Sequence, residues 1–251
     1  MCSDIPYKII PAKSGTVSNS GVFVFCDHAS NHIPAHLNNL GLGAADLSRH
    51  IAWDIGAATL TRQFCKAYGS VGLLAGFSRL VIDPNRAVDT PGSIPEISDN
   101  TPIPGNQNLS RAQKNERITR YYQPYHDALE AQLDAAQAQF IDPLIVSVHS
   151  FTPKMAGGQK RELDIGLLWK ADPDKAHRLK TEIERVHPYH VELNQPYSAL
   201  ELNYTIDQHV IARGLRHTTL EVRQDLIDTE AKAHIMAAHL TKALGHFIKG
   251  H

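Results

Sequence analysis

Five consecutive apolar residues, Val22-Phe23-Val24-Phe25-Cys26, constrain the fold more than any other feature of this chain. A strand with one wet face alternates apolar and polar residues, so an unbroken run reads as a strand covered on both faces. Leu144 to Val148 and Ile165 to Trp169 read as further buried strands, and Thr218 to Val222 as the last core strand. Val71 to Ala75, Leu80 to Asp83 and Tyr189 to Leu193 are shorter strand candidates. Amphipathic stretches lie between them. Asp46 to Tyr68 sets Leu47, Ile51, Ile55, Ala58 and Leu60 to Phe64 at helical spacing. Ser110 reads as the N-cap of a helix running towards Phe140, kinked or split at Pro124. Further helices are expected over Asp172 to Val186 and Asp228 to Ile248. Strands alternating with helices imply a twisted, mostly parallel sheet with helices on both faces, a three-layer α/β/α sandwich. With neither linker nor repeat in its 251 residues, the chain is expected to be a single α/β domain over 1–251.

Composition narrows the partners. The chain carries 25 Lys+Arg against 26 Asp+Glu, without the cationic surplus that phosphate backbones demand, so no nucleic-acid partner is expected. No stretch reaches the roughly 18 apolar residues of a membrane span. Met1 to Ser20 has no basic segment leading into an apolar run, so no secretory signal is read there. Three cysteines make no disulfide framework and suit a reducing, cytoplasmic setting. The terminal helix, apolar along Ala237, Leu240, Ala243 and Leu244, suits its own sheet or a second copy equally, which leaves the oligomeric state open.

Ligands of open α/β sheets bind beyond the carboxyl ends of the strands. The first strand runs into His28, the Leu144 strand into His149, and the last strand into Glu221 and Arg223. Two imidazoles and a carboxylate from three strands suit a catalytic zinc site, which takes three protein ligands and leaves a position for water. His28 and His149 supply two ligands. His50 and Asp54, four residues apart on the expected helix, both qualify as the third. Asp54 is preferred, because two histidines and one carboxylate follow the pattern of zinc hydrolases. Glu221 is then free to act as general base and acid. A single histidine at a strand end is more often structural, and no HExxH motif is present. The weight therefore rests on the convergence.

Ser78-Arg79-Leu80-Val81-Ile82-Asp83-Pro84-Asn85-Arg86 opens a long Pro-, Gly- and Ser-rich segment, Asp83 to Asn108, expected to cover the site. Arg79, Arg86 and Arg223 suit the clamping of a substrate carboxylate, with Asn85 beside them, although pairing with Asp83, Asp89 or Asp225 would instead fix loops. Asn194 to Ser198, with Tyr204, Thr205 and His209, is a weaker candidate for orienting a ligand. A Cys26–His28 nucleophilic pair is disfavoured, because buried thiols in apolar runs are usually inert.

Several segments resemble the N-formylglutamate amidohydrolase family: Cys26 to Pro34, Arg49 to Ala57, Ser78 to Asp83 with Asn85-Arg86, Ser147 to Pro153, Asn194 to Ser198 and Glu221 to Asp225. The resemblance spans about Val22 to Leu226. It implies a zinc-exopeptidase-like fold and metal-dependent hydrolysis of N-formyl-L-glutamate, or a close N-acyl amino acid, to the amino acid and formate. It also implies a small acidic substrate, a place in histidine degradation, and His28, Asp54, His149 and Glu221 in the order seen in similar zinc-dependent cell-wall amidases. Two alternatives remain open: a zinc amidase for another N-acyl amino acid or peptide, and a sensor that binds acidic small molecules without turnover.

Overall fold

The computed structural model describes residues 4–12, 21–170 and 173–249. Most of Met1 to Ser20, where no signal is expected, lies outside the described residues, as does Asp172. The strands are β1 (Tyr7–Ile10), β2 (Val22–Cys26), β3 (Gly72–Ala75), β4 (Ile97–Ser98), β5 (Thr101–Pro102), β6 (Leu144–Phe151), β7 (Ile165–Leu168), β8 (Val191–Leu193) and β9 (Arg216–Arg223). Seven of them form one mixed sheet in the order β1-β3-β2-β6-β9-β7-β8, while β4 and β5 make a separate hairpin. The four central strands β3, β2, β6 and β9 are mutually parallel. At the edges, β1 runs antiparallel to β3 and β7 antiparallel to β9, with β8 parallel to β7.

The helices are α1 (Ala44–Leu47), α2 (Ala57–Tyr68), α3 (Arg111–Arg117), α4 (Gln123–Gln139), α5 (Pro173–Val186) and α6 (Glu230–Lys249). Successive side chains of a strand face opposite ways, and β2 shows what its apolar run is for. Val22, Val24 and Cys26 join one core with α2, α5 and α6, while Phe23 and Phe25 join another with α4. The three-layer α/β/α sandwich follows from that double burial. No helix among the described residues is long and apolar enough to cross a membrane.

Two expected elements take another form. The helix expected from Asp46 is interrupted: residues 48–56 are irregular between α1 and α2. Their polar groups bond across the fold instead of along a helix. Asp54 N–H donates to the His28 carbonyl at 2.9 Å, Ser78 Oγ to the Ala52 carbonyl at 2.7 Å, and Ser150 Oγ to the Ile55 carbonyl at 2.9 Å. His50 and Asp54 therefore do not share a helical face. Gly56 closes the segment at φ 82°, where a Cβ would collide with the Ile227 carbonyl oxygen. The Leu80 to Asp83 run is a buried turn, not a strand. Side-chain donors replace the ladder partners: Asn106 Nδ2 reaches the Leu80 carbonyl at 2.9 Å and Arg117 Nη1 the Val81 carbonyl at 2.8 Å. The Ser110 cap forms as a capping box with Gln113, and the long helix splits at a π-helical turn, Ile118–Tyr122, just before Pro124. Strand β1, short and half-exposed, is an element the sequence did not reveal.

Candidate metal centre

Strands β2, β6 and β9 are neighbours pointing the same way, so their carboxyl ends open on one edge. His149 and Glu221 are register partners in β6 and β9, which sets their side chains on one face at about the 4.8 Å strand spacing. His28 lies two residues past the end of β2. Asp54 arrives from the irregular segment before α2, drawn in by its backbone bond to His28. All four side chains are buried.

The imidazoles converge on one carboxylate oxygen. Asp54 Oδ2 lies 2.9 Å from His149 Nδ1 and 3.3 Å from His28 Nδ1, and Ser150 N–H also donates to it at 3.2 Å. The far ring nitrogens meet other carboxylates: His28 Nε2 is 2.8 Å from Asp83 Oδ1, and His149 Nε2 is 3.5 Å from Asp27 Oδ2. Tyr125 OH donates to Asp27 Oδ1 at 2.7 Å. Arg79 bridges Asp83 Oδ2 at 2.8 Å and Asp54 Oδ1 at 3.4 Å.

Electrostatics follow this layout. Burial alone would neutralise Asp54, but His28 and His149 outweigh it and hold the carboxyl well below its ordinary range. Burial and then Arg79 push His28 down, yet Asp83 and Asp54 raise it overall. Burial dominates at Glu221 and lifts its carboxyl to about 7. Burial likewise raises the Cys26 thiol well above its usual value, so Cys26 belongs to the core.

These residues fit a divalent cation. One ligand atom each from His28, Asp54 and His149 lies within 4.8 Å of the others, close enough for a single cation to be held by all three. His28 has a carboxylate bonded to its far nitrogen, the support that orients metal-binding histidines, and Asp27 lies 3.5 Å from the far nitrogen of His149. His149 Nε2, Asp27 Oδ2 and Glu221 Oε2 are buried without a hydrogen-bond partner. Among the described residues this is the one such cluster, and His50 is outside it.

The cluster floors a cavity of about 140 Å³ whose walls include His50, Arg79, Asn85, Arg86 and Tyr197. Arg79 is committed to Asp54 and Asp83. Arg86 donates only to the Asn85 carbonyl at 2.9 Å among the described contacts, and Asn85 Oδ1 accepts from Thr205 N–H at 3.0 Å. Arg223 does not line the cavity. It bonds Asp225 at 2.7 Å and the carbonyls of Glu162 and Leu163, bracing a loop. In the Asn194 to Ser198 segment, Tyr197 reaches the cavity wall while Asn194 clamps the loop to Trp169. Sequence reasoning missed Asp27 and Asp99. Asp27 precedes His28 directly, and that adjacency was its only signal; Asp99, beside His50, had none.

The fold and the site together define an α/β/α sandwich with a candidate metal centre at the carboxyl edge of its sheet. The sequence profile of N-formylglutamate amidohydrolases matches residues 20–228. The chain belongs to the N-formylglutamate amidohydrolase family. A gene product of Agrobacterium tumefaciens with a solved structure is 31% identical, with a TM-score of 0.89 over 96% of this chain and 94% of that one. The N-formylglutamate amidohydrolase of Ralstonia eutropha shares the fold at a TM-score of 0.70 and 18% identity, with 97% of each chain covered. A comparison with curated proteins gives no match.

Proposed function

We propose that this chain hydrolyses N-formyl-L-glutamate to L-glutamate and formate, with a divalent ion, zinc by its donor set, held by His28, Asp54 and His149. The observation that carries the reading is the meeting of two imidazole Nδ1 atoms at Asp54 Oδ2 beside the buried, unpartnered Oε2 of Glu221. A cation at such a site supplies Lewis acidity towards a carbonyl and makes water acidic enough to attack near neutral pH. Glu221 takes the proton of the attacking water and delivers it to the departing nitrogen. Burial around Glu221 keeps bulk water from competing for that proton. Asp83 fixes the His28 imidazole, Asp27 lies near His149, and Arg79 holds Asp83 and Asp54 in place. Arg86, with Asn85, faces the cavity to receive a substrate carboxylate. This reading carries with it a role in histidine degradation and a cytoplasmic setting, which suits the free, buried Cys26 and Cys65.

A second reading, hydrolysis of another N-acyl amino acid, draws on the commitment of Arg79 and Arg223 elsewhere, which leaves Arg86 as the arginine facing the cavity without an ion pair among the described residues. The test is formate release from N-formyl-L-glutamate by purified protein, before and after chelation and with zinc restored, beside a panel of N-acyl amino acids. Release that chelation abolishes and zinc restores, with a strong preference for the acidic side chain, supports the first reading. Turnover of neutral substrates at equal rates moves the assignment to the second. Tight binding of acidic ligands by metal-free protein, with no turnover after loading, would make it a sensor.

A further inference from the structure

Three consecutive residues, Pro84, Asn85 and Arg86, are held from behind by one small network. The Pro84 carbonyl accepts from His126 Nε2 at 3.1 Å and from Thr205 Oγ1 at 3.3 Å. Asn85 Oδ1 accepts from Thr205 N–H at 3.0 Å, and the Arg86 carbonyl accepts from Tyr122 OH at 3.1 Å. Tyr122 and His126 stand four residues apart where the π-helical turn Ile118–Tyr122 runs into α4. Thr205 and His209 are also four apart, in the segment whose own π-helical turn covers Ile206–Val210. His126 Nδ1 joins the two segments through His209 Nε2 at 2.7 Å. Single π-helical turns are rare and gather at functional sites, and both of those among the described residues serve this network.

These bonds fix where the protons lie. A carbonyl only accepts, so Nε2 of His126 carries its proton. Burial, then His209, keeps the ring neutral near pH 7, which leaves Nδ1 with the lone pair that His209 Nε2–H fills. The ring is 5% exposed and packs on Tyr122 at 4.1 Å between centroids. A backbone N–H only donates, so the Asn85 atom facing Thr205 is the oxygen, and Nδ2 is left without a hydrogen bond among the described residues. Asn85 and Arg86 both line the cavity, and together they offer it N–H donors, the polarity a carboxylate accepts. Asp83, one residue before Pro84, is anchored separately, by the Ser93 carbonyl at 2.7 Å and by Arg79 at 2.8 Å. The metal side of this loop and its substrate side thus have different supports. We infer that His126 is a positioning residue for substrate binding: its Nε2–H sets the Pro84 carbonyl and thereby the reach of Asn85 and Arg86 towards the substrate carboxylate, a role that rests on the amidohydrolase reading above.

The experiment compares wild type, His126→Gln, His126→Asn and Tyr122→Phe, each loaded with zinc. It reads kcat and KM for N-formyl-L-glutamate, and zinc affinity in a chelator competition. The Gln amide nitrogen reaches the place of Nε2 and still donates to Pro84, whereas the shorter Asn side chain stops at the place of Nδ1. His126→Asn should therefore raise KM about 5–30-fold, the factor one lost interaction of this kind carries, with kcat and zinc affinity as in wild type. His126→Gln should recover most of that loss, and Tyr122→Phe should raise KM in the same way as Asn. An unchanged KM in His126→Asn overturns the inference. So does a fall of kcat or zinc affinity in step with KM, which would mark general damage, and so does a Gln variant no better than Asn. If His126→Asn does not fold, Tyr122→Phe decides by the same split. Wild type that releases no formate sinks the amidohydrolase reading instead. The affinities of N-formyl-L-glutamate for metal-loaded wild type and His126→Asn then carry the decision, and equal affinities, or binding by neither, overturn the inference.

Discussion

His28 Nε2 stands 2.8 Å from Asp83 Oδ1, on the side of the ring away from Asp54. The contact fixes which nitrogen His28 turns towards the cluster, and Arg79 in turn fixes Asp83. Carboxylates placed behind metal-binding imidazoles typically raise metal affinity about 10–100-fold. Asp83→Ala should therefore weaken zinc binding by about that factor in a chelator competition, without removing a ligand. Unchanged affinity would detach Asp83 from the metal centre.

Glu221 should separate from the ligands in the opposite way. Its Oε2 has no hydrogen-bond partner among the described residues, and Glu221 lines the cavity beside His149. Glu221→Gln keeps the shape and removes the proton acceptor, so metal content should hold while kcat falls about 10²–10⁴-fold, the usual worth of a general base. Metal analysis with steady-state kinetics checks both halves. Full turnover in the variant removes Glu221 from the mechanism.

How far the sequence could be read follows from where each residue's partners lie. His28, His149 and Glu221 were legible because β2, β6 and β9 advertise themselves as buried strands, and parallel neighbours deliver their carboxyl ends to one edge. Asp54 was legible as a residue but not as a geometry. The spacing of Leu47, Ile51 and Ile55 reads as helix, while bonds from Asp54, Ser78 and Ser150 across the fold decide the backbone of 48–56. The apolar Leu80-Val81-Ile82 run was legible as buried but not as a turn, because the donors satisfying it come from Asn106 and Arg117. The role of Arg223 depends on loop carbonyls brought close only by folding.

A second histidine pair predicts how stability varies with pH. His126 Nδ1 is 2.7 Å from His209 Nε2, and His126 Nε2 is 3.1 Å from the Pro84 carbonyl, so the pair ties α4 to the segment that carries Asn85 and Arg86. Burial, then the neighbouring His209, lowers the His126 pKa to about 4. An unfolded histidine titrates near 6.5. Above pH 6.5 neither state is protonated there, and the full stability is present. Between about 6.5 and 4 the unfolded chain binds a proton that the folded chain refuses, so stability falls with pH, by up to roughly 3 kcal/mol for this site. Urea unfolding from pH 7.5 to 4.5 should show that loss, and His126→Phe should flatten it. An identical slope in the variant would assign the acid sensitivity to other groups.

Gly166 supplies the sharpest packing prediction. It pairs with Glu221 across β7 and β9, and the Gln195 carbonyl oxygen occupies the place its Cβ would take. The loop cannot simply lift away, because Asn194 accepts from Trp169 N–H at 3.0 Å and donates to the Trp169 carbonyl at 2.9 Å. Gly166→Ala must therefore displace either β7, and with it Glu221, or the loop that brings Tyr197 to the cavity wall. Overpacking of this kind costs about 1–3 kcal/mol, and activity should fall further than stability, since both displaced groups border the cavity. Gly245→Ala, in α6 with nothing within 4 Å of the new Cβ, should instead gain about 0.5–1 kcal/mol from helix propensity. Thermal unfolding and turnover of the two variants check the pair. Should Gly166→Ala keep wild-type activity, the close approach of Gln195 has no bearing on Glu221.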